Sequence, residues 1–241
     1  MSGRVAFGGQ GGALFMTYLL GVALPMFAVY AIGFGIPAGL IAATQDRVTH
    51  QPADWAMFVS VPLFILGAIG LAIVGIRGAN KLLGYYWDNL MIEGKRARYT
   101  GTAGELFKTI FVHYLLLICT GGLYFPWFVT SWNRWVYSKV DVGGERLEFH
   151  GEPTTLIGIW LIGSILTSLT LGIYFPWYMN NLYEWRWNNT TISGRRFLFQ
   201  KDPGGLFAMW IVNALLSTCT LGFYAPWAMC KQWDWESKHL S

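Results

Sequence analysis

The sequence predicts an all-α membrane protein, a polytopic helical bundle of about five transmembrane helices with interfacial Pro-Trp helices and short β-hairpins, built from 50-residue repeats. Composition is the first observation behind this prediction: apolar residues make up 54% of the 241 residues and charged residues only 12%, whereas soluble domains carry roughly a quarter charged residues. The second is a set of apolar stretches of membrane-spanning length. The third is a motif that recurs at constant spacing, which indicates a repeat architecture.

Five apolar stretches are the predicted membrane spans, because each approaches or exceeds the roughly 20 residues that a helix needs to cross a bilayer core. The first is too long for a signal peptide and lacks a clear small-residue cleavage site, so we expect it to remain as an anchor. Pro25, Gly33, Gly35 and Pro37 are expected to kink it. The five stretches are residues 13–43, 55–76, 106–125, 155–175 and 205–225.

The motif Tyr-x-Pro-Trp occurs three times, and its copies lie 50 residues apart. Leucine, threonine and glycine positions around it keep the same register. We therefore expect a single membrane domain over residues 1–241, with a degenerate first repeat at 1–98 and further repeats at 99–148, 149–198 and 199–241. The motif residues are Tyr124, Pro126 and Trp127, then Tyr174, Pro176 and Trp177, then Tyr224, Pro226 and Trp227.

Each repeat is predicted to contain an apolar helix, a break, a second helix and a hairpin. In one copy Gly172 can close the first helix in the left-handed conformation, and Pro176 can begin the second. Aromatic residues surround this break and are typical of the headgroup layer, so the second helix is expected to lie in the membrane interface. Alternating apolar residues around Gly194 predict the short β-hairpin.

The order of these segments resembles a known family. Thr-Leu-Gly-Ile-Tyr-Phe-Pro-Trp, an aromatic helix and then Asn-Asn-Thr-Thr-Ile-Ser-Gly-Arg-Arg-Phe-Leu-Phe is similar to the pattern of the YjgN family of uncharacterised bacterial inner-membrane proteins. The resemblance covers about residues 77–241 and the glycine-rich start. It implies a multi-pass protein of the bacterial inner membrane, and it brings no catalytic residues with it.

Two arrangements of the hairpins relative to the membrane stay open. If each later repeat crosses once, successive hairpins alternate between the two sides, and Lys and Arg are then more frequent on the inside when the N-terminus is cytoplasmic. If instead each Pro-Trp helix returns across the membrane, all hairpins lie on one side. We favour the alternating arrangement, because Arg134 and Glu184 near a bilayer centre would be costly.

No residue pattern predicts catalysis, a metal or a cofactor. The histidines lack the spacing of known zinc sites, and the cysteines form no CxxC pair. His113 and Asn213 occupy equivalent places in two predicted spans and are a candidate intramembrane polar site, although a packing role for His113 is the simpler interpretation. Arg96, Arg195 and Arg196 are candidate contacts for anionic lipid headgroups, and a role in setting topology is equally consistent with them.

We therefore expect a protein without catalytic activity, a scaffold or accessory subunit of a membrane complex. The expected partners are membrane lipids and either other membrane-protein subunits or further copies of the chain, and not nucleic acid. The alternative is a transporter or channel for a small solute or lipid that uses inverted repeats. An enzyme acting on lipid ranks third, because no nucleophile-base pair is evident.

Overall fold

The computed structural model describes residues 5–46 and 51–241. The basic residues Arg4 and Arg47 and the histidine His50 lie outside the described residues. The chain divides into two compact bodies. The sheet body comprises the described part of Met1–Leu14 together with Leu83–Ser241, and the long-helix body is Phe15–Leu82.

Within the described residues, the strands of the sheet body form one seven-stranded antiparallel sheet whose strand order follows the chain. Two-residue turns join β2 to β3, β4 to β5 and β6 to β7, and both residues of each turn have positive φ, as tight hairpin turns require. After β7, Phe199 forms a further antiparallel bridge with Leu240. The strands are β1 Val5–Phe7, β2 Leu90–Ile92, β3 Lys95–Tyr99, β4 Val140–Val142, β5 Glu145–Phe149, β6 Thr190–Ile192 and β7 Arg195–Arg196.

The helices alternate with these strands. Two π-helical segments, Leu19–Ala23 and Ala31–Gly35, interrupt the first helical stretch. They lie just before Pro25 and Pro37, where the sequence predicted distortion; a proline removes a main-chain donor, and a widened turn accommodates the loss. The α-helices are α1 Gly11–Tyr18, α2 Leu24–Tyr30, α3 Ile36–Thr44, α4 Asp54–Asp88, α5 Ala103–Cys119, α6 Phe125–Ser138, α7 Pro153–Leu169, α8 Phe175–Asn188, α9 Pro203–Cys219 and α10 Ala225–Lys238.

The structural repeat is strand, helix, helix, strand. In the second, third and fourth repeats a helical hairpin is inserted between two strands that pair with each other. The first repeat has the same order, with the long helices between β1 and β2. One main-chain hydrogen bond recurs at the helix bases of all four: Gly8 N to Asn89 O and Thr100 N to Lys139 O at 2.8 Å, and His150 N to Asn189 O and Gln200 N to His239 O at 2.9 Å.

The break between the two helices of each hairpin is built the same way each time. In the third repeat the Thr170 hydroxyl donates to Leu166 O at 2.7 Å and accepts from the Tyr174 amide at 3.0 Å. Gly172 adopts φ +92° and its amide bonds to a carbonyl five residues earlier, which closes the first helix. Pro176 then lies in the first turn of the second helix, where its missing donor costs nothing.

The core lies between one face of the sheet and the second helices of the repeats. Trp187 is fully buried there, and α10 packs against β1, with the rings of Phe7 and Trp233 5.6 Å apart. The fourth repeat therefore contacts the part of the first repeat that belongs to the sheet body, and the repeats of that body close into a ring. Buried residues of the inner sheet face are Leu90, Ile92, Ala97, Val140, Val142, Leu147, Phe149, Ile192 and Phe197.

The prediction of an all-α bundle with about five transmembrane helices is wrong in two respects. The predicted hairpins are not separate, because they pair with one another in a single sheet. Among the described residues, two helices are long and apolar enough to cross a membrane, Gly11–Thr44 and Asp54–Asp88. The three repeat helices end after 17 residues, since the Thr-x-Gly segments predicted to lie within the spans form the break instead.

The favoured alternation of hairpins between the two sides of a membrane is also wrong. Strands β2 to β7 belong to one continuous ladder of main-chain hydrogen bonds. A bilayer cannot pass through such a ladder, because its main-chain groups would lose their partners in the hydrocarbon. The β-hairpins therefore lie together in one sheet, as the second arrangement requires.

In the long-helix body, the stretch Phe15–Thr44 packs against the part of α4 before Leu83. The two helix backbones approach most closely at Gly33 and Gly67, where a Cβ built on Gly67 would lie 2.7 Å from the Gly33 Cα. Nearby the Ser60 hydroxyl donates to Pro37 O at 3.3 Å. Small residues at such crossings are typical of helices that associate inside a membrane.

Replacing Gly67 with valine should separate these helices and lower the thermal midpoint of the protein in detergent, with an overpacking cost of about 1–3 kcal/mol. Gly39→Val is the matched control, because a Cβ at Gly39 meets no atom within 4 Å. Thermal unfolding followed by tryptophan fluorescence measures both variants. Equal midpoints for the two variants would contradict this helix contact.

Candidate functional site

A buried charged cluster occupies the centre of the sheet body. It forms from one position of the repeat: Tyr86, Val136, Arg186 and Glu236 follow one another at intervals of 50 residues. Arg186 and Glu236 form an ion pair in which the guanidinium donates to Glu236 Oε1. The Trp187 indole donates to the same oxygen, so this carboxylate has both a charged and a neutral donor.

The surroundings of this pair determine its protonation. The Glu236 side chain is 4% exposed and that of Arg186 is 28% exposed. Burial lowers the pKa of Arg186. The carboxylate of Glu236 and the hydroxyl groups of nearby tyrosines raise this pKa by more, so it lies above its usual value. Arg186 also lies over the ring of Tyr183, 5.1 Å from its centroid. Burial raises the pKa of Tyr137 and of Tyr183 to about 12, which keeps both rings neutral beside the charged pair.

A second charged network joins the three hairpin turns. Lys95 bonds to Glu145 at 2.9 Å, and the Ser193 hydroxyl donates to the same carboxylate at 2.6 Å. Arg195 pairs with Glu93 at 2.6 Å. The Lys95 ammonium, and then the Ser193 hydroxyl, lower the pKa of the Glu145 carboxyl. Because each contact links different repeats, the network fixes the turns to one another.

The Tyr-x-Pro-Trp motifs lie at the starts of α6, α8 and α10. In each copy the prolines are buried in the first helical turn, and the tyrosine and tryptophan rings stack on each other. The ring separations are 6.3 Å for Tyr124 and Trp127, 6.2 Å for Tyr174 and Trp177, and 6.4 Å for Tyr224 and Trp227.

His113 and Asn213 are not brought together. His113 lies between the rings of Tyr124 and Phe128, at 5.9 and 5.7 Å, and neither of its ring nitrogens has a hydrogen-bond partner. Asn213 lines a cavity between α8, α9 and α10, and His113 is not among the residues of that cavity. The two residues share a repeat position without sharing a site.

The candidate headgroup residues lie on the sheet. Arg96 and Arg196 occupy equivalent cross-strand positions opposite Met91 and Thr191, and both are exposed. Arg195 is the first residue of β7 and pairs with Glu93. All three arginines therefore lie at the end of the sheet body that carries the strands. The breaks between the paired helices are about one helix length away.

A cavity of about 240 Å³ lies between α8 of the third repeat and α9 and α10 of the fourth. Asn213 Oδ1 is buried and has no hydrogen-bond partner. Elsewhere among the described residues, no three His, Cys, Asp or Glu side chains lie together as metal ligands would.

Sequence reasoning missed the pair of Arg186 and Glu236. Neither residue was among the predicted site residues. Their separation of 50 residues equals the repeat period, and opposite charges at one repeat position are a signal that the sequence does contain.

A family model described as "Bacterial protein of unknown function (DUF898)" matches the chain three times, over residues 94–158, 145–208 and 196–235. Together these matches span more than half of the 241 residues. No curated protein and no solved structure matches the chain.

Breaking the central pair from one side should be costly. Arg186→Met leaves the buried Glu236 carboxylate without its counter-charge, and we expect a loss of about 3 kcal/mol in the free energy of unfolding. The double variant Arg186→Met, Glu236→Leu should recover most of this loss, because two apolar side chains leave no buried charge. Unfolding in detergent followed by tryptophan fluorescence measures both.

Lys238→Met is the control for this experiment, since its pair with Asp234 is solvent-exposed and worth only about 0.3–0.5 kcal/mol. A double variant as unstable as Arg186→Met alone would mean that the loss comes from packing and not from the uncompensated charge.

Proposed function

The chain belongs to DUF898, a family of bacterial proteins of unknown function, and on its geometry we propose that it is a non-catalytic membrane scaffold or accessory subunit. In this proposal the two long helices cross the bacterial inner membrane. The three helical hairpins of the sheet body dip into the bilayer from one side, and the sheet stays in water.

The distribution of exposed apolar residues carries the proposal. The most exposed large side chains of the sheet body lie at the hairpin breaks, far from the strands. Leu171 is 94% exposed and Leu221 is 90% exposed, and both adopt a positive φ that a bulky side chain rarely takes. In water no favourable contact of these leucines would offset the backbone strain, whereas in lipid their side chains contact hydrocarbon. Leu123, Ile173 and Phe223 at the same breaks are also exposed.

Helix length sets how far the hairpins reach. A helix of 17 residues is about 25 Å long, which is less than the roughly 30 Å of a bilayer core. Both ends of each hairpin return to the same sheet, so each hairpin enters and leaves on one side. Residues 109–133, 153–183 and 203–230 carry no charged side chain. The hairpins satisfy their main-chain groups internally, which is the condition for entering hydrocarbon.

The charges of the chain support an orientation. Two crossings return the chain to the side from which it started. Of the 17 Lys and Arg residues, only Arg47 lies in the segment between the two long helices. The positive-inside rule then favours a cytoplasmic N-terminus and a cytoplasmic sheet body.

Charged side chains of the sheet body pair with one another, which favours a scaffold. Arg186 and Glu236 satisfy each other inside the core, and Glu145 and Arg195 hold the turns together. These contacts join different repeats to one another, as a platform for other subunits or for a second copy requires. The expected partners are membrane lipids and membrane-protein subunits.

A transporter or channel for a small solute or lipid is the second candidate, and the cavity beside Asn213 is the observation that favours it. The repeats follow one another in the same sense around one sheet. Transporters built on inverted repeats alternate their orientation instead, so we rank this function below the scaffold.

The native thiols test the insertion of the hairpins. Cys119 and Cys219 are exposed and end α5 and α9, next to the breaks. In inside-out membrane vesicles we expect a membrane-impermeant maleimide to leave both unmodified until detergent is added, because lipid covers them. Mass spectrometry of the digested protein identifies the modified residues.

Leu198→Cys is the matched control in these vesicles. Leu198 is 57% exposed on the outer face of the sheet, so its replacement thiol should react before detergent is added. In right-side-out vesicles the same thiol should be protected. Reaction of Cys119 and Cys219 as fast as the Leu198→Cys thiol would rule out insertion.

The scaffold function predicts a stable assembly in the membrane. After extraction in mild detergent, the protein should elute with a mass that corresponds to a stoichiometric complex with other subunits or copies. Arg186→Met, which weakens the ring, should reduce the fraction in that complex, whereas Lys238→Met should not. A solitary monomer, together with solute flux in proteoliposomes that Asn213→Ala abolishes, would favour the transporter.

A further inference from the structure

The cavity described above lies where the third and fourth repeats meet, and its lining is mainly apolar. Its walls include Met179 from α8 and Met209 and Trp210 from α9. The polar side chains in the wall are Asn213, Ser217 and Gln232, and no lining residue carries a charge.

A comparison of the repeats shows why the cavity exists. In the second repeat the equivalent positions of α6 carry three rings, and Phe128 lies 6.4 Å from Phe125 and 6.2 Å from Trp132. The equivalent residues of α10 are Ala225, Ala228 and Gln232, and all three line the cavity. Two phenyl rings and an indole are thus replaced by two methyl groups and an amide.

The residue facing these rings changes as well. In the second repeat His113 contacts Phe128 at 5.7 Å. In the third repeat Gly163 makes room for Tyr178, whose ring would lie 2.1 Å from a Cβ at that position. In the fourth repeat Asn213 faces the space next to Ala228, and neither side chain is large enough to fill it.

An unfilled cavity of this size forfeits packing, and the buried Asn213 Oδ1 without a partner adds a desolvation penalty. A ligand would remove both penalties. We propose that the cavity binds a neutral, mainly apolar molecule of about one or two rings that donates one hydrogen bond to Asn213.

Volume, charge and shape each limit the ligand class. The volume of about 240 Å³ exceeds the roughly 150 Å³ of an engineered apolar cavity that admits benzene, so a bicyclic ring fits. The absence of charge in the lining favours an uncharged ligand. Met179, Met209 and Met229 are flexible side chains that adapt to the outline of a ring, and Trp210 offers an aromatic face. Since Asn213 Oδ1 accepts, the ligand must supply the donor.

Indole and 1-methylindole are the probes, because they share a ring system and only indole carries an N–H. Isothermal titration uses the full-length protein in lipid nanodiscs, with empty nanodiscs subtracted to remove partitioning into lipid. We expect indole to bind about fivefold more tightly than 1-methylindole, the effect of one neutral hydrogen bond. Equal affinity, or no binding of either probe, would overturn the proposal.

Ala228→Phe tests the location. The variant restores the ring that the second repeat carries at this position, and it should abolish binding of both probes while it raises the thermal midpoint. Ala208→Phe, at an exposed position of the same hairpin, should bind as the unchanged protein does. Binding that survives Ala228→Phe would place the probes elsewhere.

Asn213→Leu tests the polar contact independently of Ala228→Phe, and it keeps the test valid if that variant does not fold. With the acceptor removed, the affinity for indole should fall to that for 1-methylindole, while 1-methylindole still binds. An unchanged preference for indole in Asn213→Leu would show that Asn213 is not the acceptor and would overturn the proposal.

Discussion

Both ends of every helical hairpin in the sheet body are held by neighbouring strands of one antiparallel sheet. The main-chain bond from Thr100 to Lys139, with its equivalents in the other repeats, ties the start of one helix to the end of the next. Adjacent strands lie about 4.8 Å apart, so the helices that leave them stay in contact. This constraint brings α6, α8 and α10 onto the sheet. It also keeps the breaks of all three helical hairpins at the same end of the sheet body.

Within that ring, charge distinguishes one repeat from another. Tyr86, Val136, Arg186 and Glu236 share one repeat position, yet each differs from the others in size or charge. The spatial arrangement of the repeats puts the Arg186 guanidinium beside the Glu236 carboxylate, and the Trp187 indole donates to the same oxygen. A buried ion pair of this kind adds little net stability, but an arrangement of the repeats that separated α8 from α10 would leave both charges without partners.

Local chemistry could be predicted from the sequence, and long-range pairing could not. The break at Gly172 and Pro176 and the hairpin at Gly194 occur where the sequence placed them, because each depends on a few adjacent residues. The family was also correctly predicted. The sheet was missed because β3 and β4 are joined only across a whole helical hairpin. The cavity depends on which rings are absent around Asn213, which a single repeat does not show.

The contact between Phe7 and Trp233 joins residues from opposite ends of the repeat series. Strand β1 can pair with β2 once the long helices are complete, but the aromatic side of β1 has no cover until α10 has been synthesised. Bringing such distant segments together is entropically slow. The contact between β1 and α10 therefore forms only after the whole series of repeats has been synthesised.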